Sequence, residues 1–99
     1  MAKVYKMFQV RMSEAWYQLS EEEQANVMAK VDEARDKAGG KLVIICDSSW
    51  SSEEWQAFGI EEFPDAEAVQ LHAQLLNEFD WLRYIDSRTL IGTEWESPS

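Results

Sequence analysis

A run of five consecutive apolar residues near the middle of the chain, Leu42 to Cys46, constrains the fold more than any other segment. Gly39 and Gly40 precede the run and the serine-rich segment Ser48 to Ser52 follows it, so it has the length and the boundaries of a β-strand. A strand that is apolar at every position has no face suited to water, which predicts that both of its faces are buried. The sheet that contains this strand therefore needs a cover on each side.

The N-terminal segment predicts a second strand with apolar residues on both faces. Residues 4 to 12 alternate, and Phe8 and Val10 share one face with Lys6, while Tyr5 and Met7 share the other. This strand also predicts a sheet that is covered on both sides.

A helix is predicted between these two strands. Ser20 is suited to the N-cap position and Glu23 completes an S-x-x-E capping box, so the helix begins here and ends at Gly39 and Gly40. The side chains predicted to face the sheet are Val27, Met28, Val31, Ala34 and Ala38.

The second half of the chain predicts a strand, a helix and a strand. Residues 55 to 63 alternate as a third strand, and Asp65 is suited to cap a helix that runs to about Phe79. Residues 81 to 93 have the β-branched content of a fourth strand, and residues 93–99 are predicted to be a tail.

The predicted order is therefore β-α-β-β-α-β within a single domain spanning residues 1–99. Two right-handed crossovers with a hairpin between them place both helices on one face of a four-stranded antiparallel sheet, which is the ferredoxin-like α+β sandwich. The other face of this sheet is bare. The sheet of a second copy is the economical cover, so we predict a homodimer that associates through the sheet face.

The charge of the chain argues against two classes of partner. Nineteen acidic residues against nine basic ones give a formal net charge of -10, which repels both nucleic acids and anionic membranes. The single cysteine, Cys46, cannot form an internal disulfide and has no second cysteine for a zinc site. No segment has the apolar length of a signal peptide or of a membrane span, so we expect a cytoplasmic protein.

His72 is the only histidine and the main candidate for chemistry. Helical periodicity directs its side chain towards the sheet. It is either a core histidine that makes one hydrogen bond, or a general base or ligand-orienting group in a cavity between helix and sheet. A metal site is not expected, because no second histidine exists to complete it.

Several aromatic residues and one arginine are candidates for ligand binding. Trp16 and Tyr17 occupy a connection where small polar residues are usual, and they are interpreted either as a lid on a pocket or as a contact with a partner subunit. Arg11 could bind a carboxylate or pair with an acidic side chain. The aromatic residues that could line a pocket or pack in an interface are Trp55, Phe63 and Trp81.

Two short motifs resemble known families. The segment EEFPDAEAVQLH, Glu61 to His72, resembles the strand-to-helix signature of the dimeric α/β barrel superfamily, especially its antibiotic-biosynthesis-monooxygenase-like families. The segment AWYQLSEEEQ, Ala15 to Gln24, is similar to a motif of darcynin-like domains.

The resemblance implies a homodimer with a small-molecule pocket between sheet and helices in each subunit. Some members of these families oxidise aromatic substrates without a cofactor, and others degrade haem or isomerise their substrates. Only His72 matches the haem-degrading relatives, since Phe63 stands where they have a tryptophan. We therefore expect no cofactor. The predicted function is binding of an apolar, fatty-acid-like or aromatic molecule, with cofactor-independent monooxygenase-like activity implied by the resemblance. The alternative is a structural homodimer or interaction module without a substrate.

Overall fold

The computed structural model describes residues 2–96, which form a four-stranded antiparallel sheet in the order β2-β3-β1-β4. The elements in chain order are strand β1 (Val4–Met12), the single helical turn α1 (Glu14–Tyr17), helix α2 (Glu21–Lys37), strand β2 (Lys41–Asp47), strand β3 (Ala57–Phe63), helix α3 (Ala66–Glu78), a turn of 3-10 helix (Trp81–Arg83) and strand β4 (Ile85–Thr93). The predicted β-α-β-β-α-β ferredoxin-like α+β fold is confirmed.

Both long helices begin at the caps that the sequence predicts. The Ser20 hydroxyl accepts a hydrogen bond from the backbone N–H of Glu23, and the Glu23 carboxylate accepts one from the backbone N–H of Ser20. The Asp65 carboxylate accepts a hydrogen bond from the backbone N–H of Ala68. These contacts satisfy N–H groups that a helix leaves without an internal partner.

The register between strands divides the sheet into two faces. Val4 lies opposite Phe63, and Lys6 lies opposite Glu61, so these four residues share the face on which the helices pack, here called the helix face. The intervening residues, such as Tyr5 and Met7, lie on the other side, here called the open face.

The core on the helix face consists of two clusters. Ala38, Ala68 and Val69 pack around Val4 and Phe63 at one end of the sheet. The cluster at the other end contains Trp16, Ala34, Leu76, Trp81 and Ile85. Met28, which was predicted to face the sheet, is exposed, and that prediction is wrong, because Val27 and Val31 make the contact of this part of α2 with the core.

The prediction that β2 is buried on both faces is wrong for its helix face, and burial of its open face by a second copy stays a prediction. The side chains of Leu42, Val43, Ile44 and Ile45 are between 38% and 57% exposed. The reason is topological, because β2 is an edge strand and α3 contacts the two central strands, β1 and β3. The other edge strand, β4, is exposed in the same way at Leu90 and Ile91.

Two strand boundaries also differ from the predicted ones. β4 begins at Ile85 because the turn Trp81–Arg83 precedes it, and Asp80, in the left-handed region with φ of 57°, redirects the chain before that turn. β3 begins at Ala57 rather than at residue 55. Of the predicted tail, Thr93 belongs to β4 and residues 97–99 lie outside the described residues.

Candidate functional site

His72 lies on α3 and points into the space between the helices and the sheet. Its side chain is 2% exposed, and its ring lies 5.0 Å from the ring of Phe63, at an angle of 40° between the two planes. Phe63 is fully buried and closes the end of the core next to Val4. The structure therefore brings together two of the predicted site residues, one from β3 and one from α3.

Lys6 is the nearest charged neighbour of His72. It lies on the helix face of β1, and its Nζ is 3.3 Å from Nδ1 of His72. A lysine on this face is unusual, because the neighbouring helix-face positions, such as Val4 and Phe8, are apolar. The contact ties the central strand β1 to helix α3 through a polar interaction.

Further charged side chains continue the cluster away from His72. Glu61 is buried and lies opposite Lys6 in the ladder between β1 and β3. Arg35 of α2 contacts the Glu61 carboxylate at 3.3 Å and the Asp32 carboxylate at 2.8 Å. A chain of alternating charge, here called the polar cluster, therefore runs from α2 across the sheet to His72.

One atom in the polar cluster lacks a partner. Nε2 of His72 is buried and makes no hydrogen bond with any of the residues 2–96. Buried polar atoms in native proteins nearly always have a partner, and leaving one without a partner costs about 1–3 kcal/mol. The orphaned nitrogen therefore marks a position where a polar group from outside the described chain would be stabilised.

Burial and neighbouring charge set the protonation of the two central groups. Burial, together with the positive charges of Lys6 and Arg35, lowers the pKa of His72 from 6.5 to about 4. Burial also lowers the pKa of Lys6, while the Glu61 carboxylate acts to raise it. His72 is therefore neutral near pH 7.

The tryptophans of the predicted site lie apart from His72. Trp16 is buried in the second core cluster, where its ring meets Trp81 edge to face at 6.3 Å and Tyr84 at 6.4 Å. Trp16 and Trp81 therefore pack within their own chain. This packing anchors α1 and the 3-10 turn to the core.

Arg11 and Trp55 form a separate group at the end of β1, and Tyr17 contacts Gln56, the residue next to Trp55. The Arg11 guanidinium lies 5.4 Å from the ring centre of Trp55 and pairs with Asp86 at 3.2 Å. The Tyr17 hydroxyl accepts a hydrogen bond from the side-chain amide of Gln56. Arg11 is on the open face, so it does not join His72 at one site.

His72 does not line either of two solvent-open clefts that residues 2–96 form. A groove of about 280 Å³ runs between α2 and α3 beside Lys30, Ala34 and Phe79. A cleft of about 610 Å³ lies at the edge of the sheet beside Tyr5 and Thr93. His72 is closed off from both.

Residues 2–96 contain neither a metal-binding cluster nor a membrane-spanning helix. These residues contain no group of three or more histidine, cysteine or acidic side chains arranged to hold a metal ion. Over the same range, no helix has the length and apolar character required to cross a membrane.

The sequence reasoning identified His72 and Phe63 but did not assign a role to the charged residues around them. The signal that could have identified Lys6 and Glu61 is their position in the alternating pattern of their strands. Each occupies a position whose neighbours two residues away, such as Val4 and Phe63, are apolar. Charged residues on an apolar face are rare, and a buried charge requires an ion pair or a hydrogen bond. Arg35 had no comparable signal, because its contact with Glu61 depends on how α2 crosses the sheet.

No protein-family model matches the chain, and no curated protein matches it. Solved structures do match it. A variant of chlorite dismutase from Candidatus Nitrospira defluvii is similar over 95% of this chain, with a TM-score of 0.72 and 15% identity. The likeness agrees with the ferredoxin-like fold of the chain. The complex of the same dismutase with imidazole gives a TM-score of 0.68 at 18% identity, also over 95% of this chain.

Another solved structure, that of TA0507, which is provisionally called a chlorite dismutase, gives a TM-score of 0.68 at 16% identity over 93% of this chain. The chain spans about two-fifths of the length of the Nitrospira dismutase, 41%, and 45% of TA0507. Likeness at this level of identity shows the fold alone. The resemblance to monooxygenase-like and darcynin-like families therefore stays a prediction.

Proposed function

We propose that the protein is a homodimer that binds a small, largely apolar molecule between its sheet and its helices, with His72 contacting the polar end of that molecule. The observation that carries this proposal is the buried Nε2 of His72, which has no partner within residues 2–96. A ligand atom at this position would replace the missing hydrogen bond and recover the cost of the orphaned group.

The surroundings of the polar cluster support a ligand that is mostly apolar. In the row of residues that crosses the helix face, Leu42 lies opposite Glu61, and Ile91 lies opposite Lys6. The two charged residues are therefore flanked on both edge strands by aliphatic side chains. Ile91 is 56% exposed, so an apolar molecule could cover this edge while its polar end reached His72.

The open face of the sheet supports self-association. Another row crosses all four strands on this face, with Ile44, Ile60, Met7 and Leu90 as successive neighbours. Leu90 is 68% exposed in the single chain. A continuous apolar row across a sheet is typical of a surface that packs against another protein surface. The sheet of a second copy presents a matching row and would cover it.

Cofactor-independent oxygenation is the enzymatic form of this proposal. With an aromatic substrate in the same position, His72 would contact the oxygen-bearing end of the ring. The other residues proposed from the sequence would not take part directly, because Arg11, Trp55 and Trp81 lie in groups that do not contact His72.

A second candidate function is a structural homodimer or interaction module without a ligand. The observation that favours it is the closure of His72, whose side chain is buried and lines neither of the two clefts. In this case Nε2 would bond to a buried water molecule, as buried polar groups often do.

Native mass spectrometry of the protein as purified, compared with the mass of the denatured chain, separates the two functions. A dimer that carries extra mass released by denaturation supports the ligand-binding function. A dimer without extra mass supports the structural function, and a monomer contradicts both.

Two matched substitutions test the open face as the dimer contact. Leu90→Lys places a charge on the open face and is expected to produce monomers. Thr89→Lys, at the adjacent position on the helix face, is expected to leave the dimer intact. Equal dimer fractions in the two variants would show that the subunits meet elsewhere.

A further inference from the structure

We infer that Lys6 fixes His72 in the tautomer that carries its proton on Nε2, so that the site binds ligands through an acceptor oxygen such as a carboxylate, carbonyl or phenolate oxygen. The ligand class rests on the proposed function, whereas the tautomer is a property of the chain itself.

The donor and acceptor chemistry of the two side chains carries the inference. A lysine ammonium has three N–H donors and no acceptor, so across the 3.3 Å contact Nδ1 of His72 must accept. A neutral imidazole carries one proton, and the nitrogen that accepts cannot hold it. The proton therefore resides on Nε2, which is the atom without a partner.

Glu61 opposes the effect of burial on the pKa of Lys6 and favours its charged, donating form. Glu61 lies directly opposite Lys6 in the ladder and supplies the negative charge closest to it along the strands. Arg35 contacts the same carboxylate, which holds it in place. Lys6 is therefore a positioning residue, since it acts on the ligand site only through His72.

The tautomer decides what the site can bind. An N–H group on Nε2 donates to a carbonyl, carboxylate or phenolate oxygen, and it repels an ammonium or another N–H group. Because Nε2 already carries a proton, His72 cannot use this nitrogen to remove a proton from a substrate. A neutral imidazole that donates in this way can polarise a bound carbonyl, which is a role distinct from that of a general base.

The nitrogen chemical shifts of the imidazole test the tautomer directly. His72 is the only histidine, so two-dimensional ¹H–¹⁵N spectra of the ring need no assignment between residues. We expect Nε2 to resonate as a protonated nitrogen and Nδ1 as an unprotonated one near pH 7. The reverse pattern would overturn the inference whether or not the protein binds a ligand.

A matched pair of variants connects the tautomer to Lys6. Lys6→Met removes the ammonium with little change in length, and it is expected to shift both ring nitrogens towards values of a mixed tautomer. Lys3→Met makes the same chemical change at an exposed lysine that pairs with Glu62, and it is expected to leave the ring unchanged. Unchanged ring shifts in a folded Lys6→Met variant would show that another group sets the tautomer. If Lys6→Met does not fold, Lys6→Arg is the second variant, because it keeps a charged donor. We expect Lys6→Arg to retain the ring shifts of the native protein. Loss of those shifts would contradict the role of the donor.

Two probes of equal chain length test the ligand class. Decanoate presents acceptor oxygens, and decylammonium presents only donors. We expect decanoate to move the Nε2 resonance in a saturable manner and decylammonium to leave it unchanged. A response to decylammonium alone would overturn the predicted ligand class. Failure of both probes in a protein with the expected tautomer would contradict the proposed ligand site and the ligand class together, while the tautomer would stand.

Discussion

Replacing His72 with glutamine should remove a defined part of the acid sensitivity of this protein. In the folded chain burial and the charges of Lys6 and Arg35 lower the pKa of His72 to about 4, whereas in the unfolded chain it has its ordinary value of 6.5. Between these values the unfolded state binds a proton that the folded state excludes. The free energy of unfolding therefore falls as the pH falls from about 6.5 towards 4. Above about pH 6.5 the contribution of His72 to this free energy is retained.

The size of the effect follows from the two pKa values. The difference of about 2.5 pKa units is equivalent to about 3.4 kcal/mol in the limit of low pH, at about 1.36 kcal/mol per unit. Between pH 7 and pH 4.5 most of this is realised, so His72 alone should reduce the free energy of unfolding by about 2 kcal/mol. Glutamine is neutral throughout this range and can still accept a hydrogen bond from Lys6 and donate one of its own.

Urea unfolding, followed by tryptophan fluorescence at several pH values and one protein concentration, measures the effect. Acidic side chains also titrate in this range, so the informative quantity is the pH dependence of the native protein minus that of His72→Gln. We expect this difference to be about 2 kcal/mol between pH 7 and pH 4.5. Parallel pH profiles for the two proteins would show that the folded state admits the proton, and would refute the closed environment assigned to His72.

Three further predictions concern the fold. Gly59→Ala should reduce the free energy of unfolding by about 1–3 kcal/mol in urea titrations, because a Cβ at this position would lie 2.6 Å from a backbone carbonyl oxygen of β2. Gly92→Ala is the matched control, since a Cβ there meets no atom within 4 Å, and an equal loss in both variants would contradict the argument. Ser20→Ala should cost about 1 kcal/mol through loss of the capping box, measured by thermal unfolding, whereas Ser87→Ala on the exposed strand β4 should change little. Phe63→Ala should cost about 3–5 kcal/mol in urea, because the ring is fully buried, and a loss below 1 kcal/mol would mean that the site collapses around the missing ring.

Local sequence signals predicted the elements of the fold and their order. The capping box at Ser20 and the cap at Asp65 involve residues three positions apart, so their geometry depends on little beyond the local chain. The alternation in residues 4 to 12 likewise predicted a strand, and the structure has β1 over this range. Four strands and two long helices in this order allow few topologies, which is why the ferredoxin-like arrangement could be predicted.

The candidate site could be predicted only in part. Helical periodicity directed His72 towards the sheet, and the structure buries it there. Its contact with Lys6 joins residues 66 positions apart in the sequence, and no local pattern specifies such a distance. Trp16 illustrates the same limit, because its burial against Trp81 depends on how the chain turns after Asp80.

The amino-acid sequence by itself determined the type, order and caps of the secondary structure, because these depend on interactions between residues close together in the chain. The tertiary structure alone decided how far each apolar strand is covered and which polar residues share the core. β2 shows the first, since its composition predicts burial on both faces and its position in the order β2-β3-β1-β4 leaves it exposed in the single chain. The polar cluster shows the second, because Lys6, Glu61, Arg35 and His72 meet only once two helices cross the sheet, and that packing leaves Nε2 of His72 buried without a partner in the described chain.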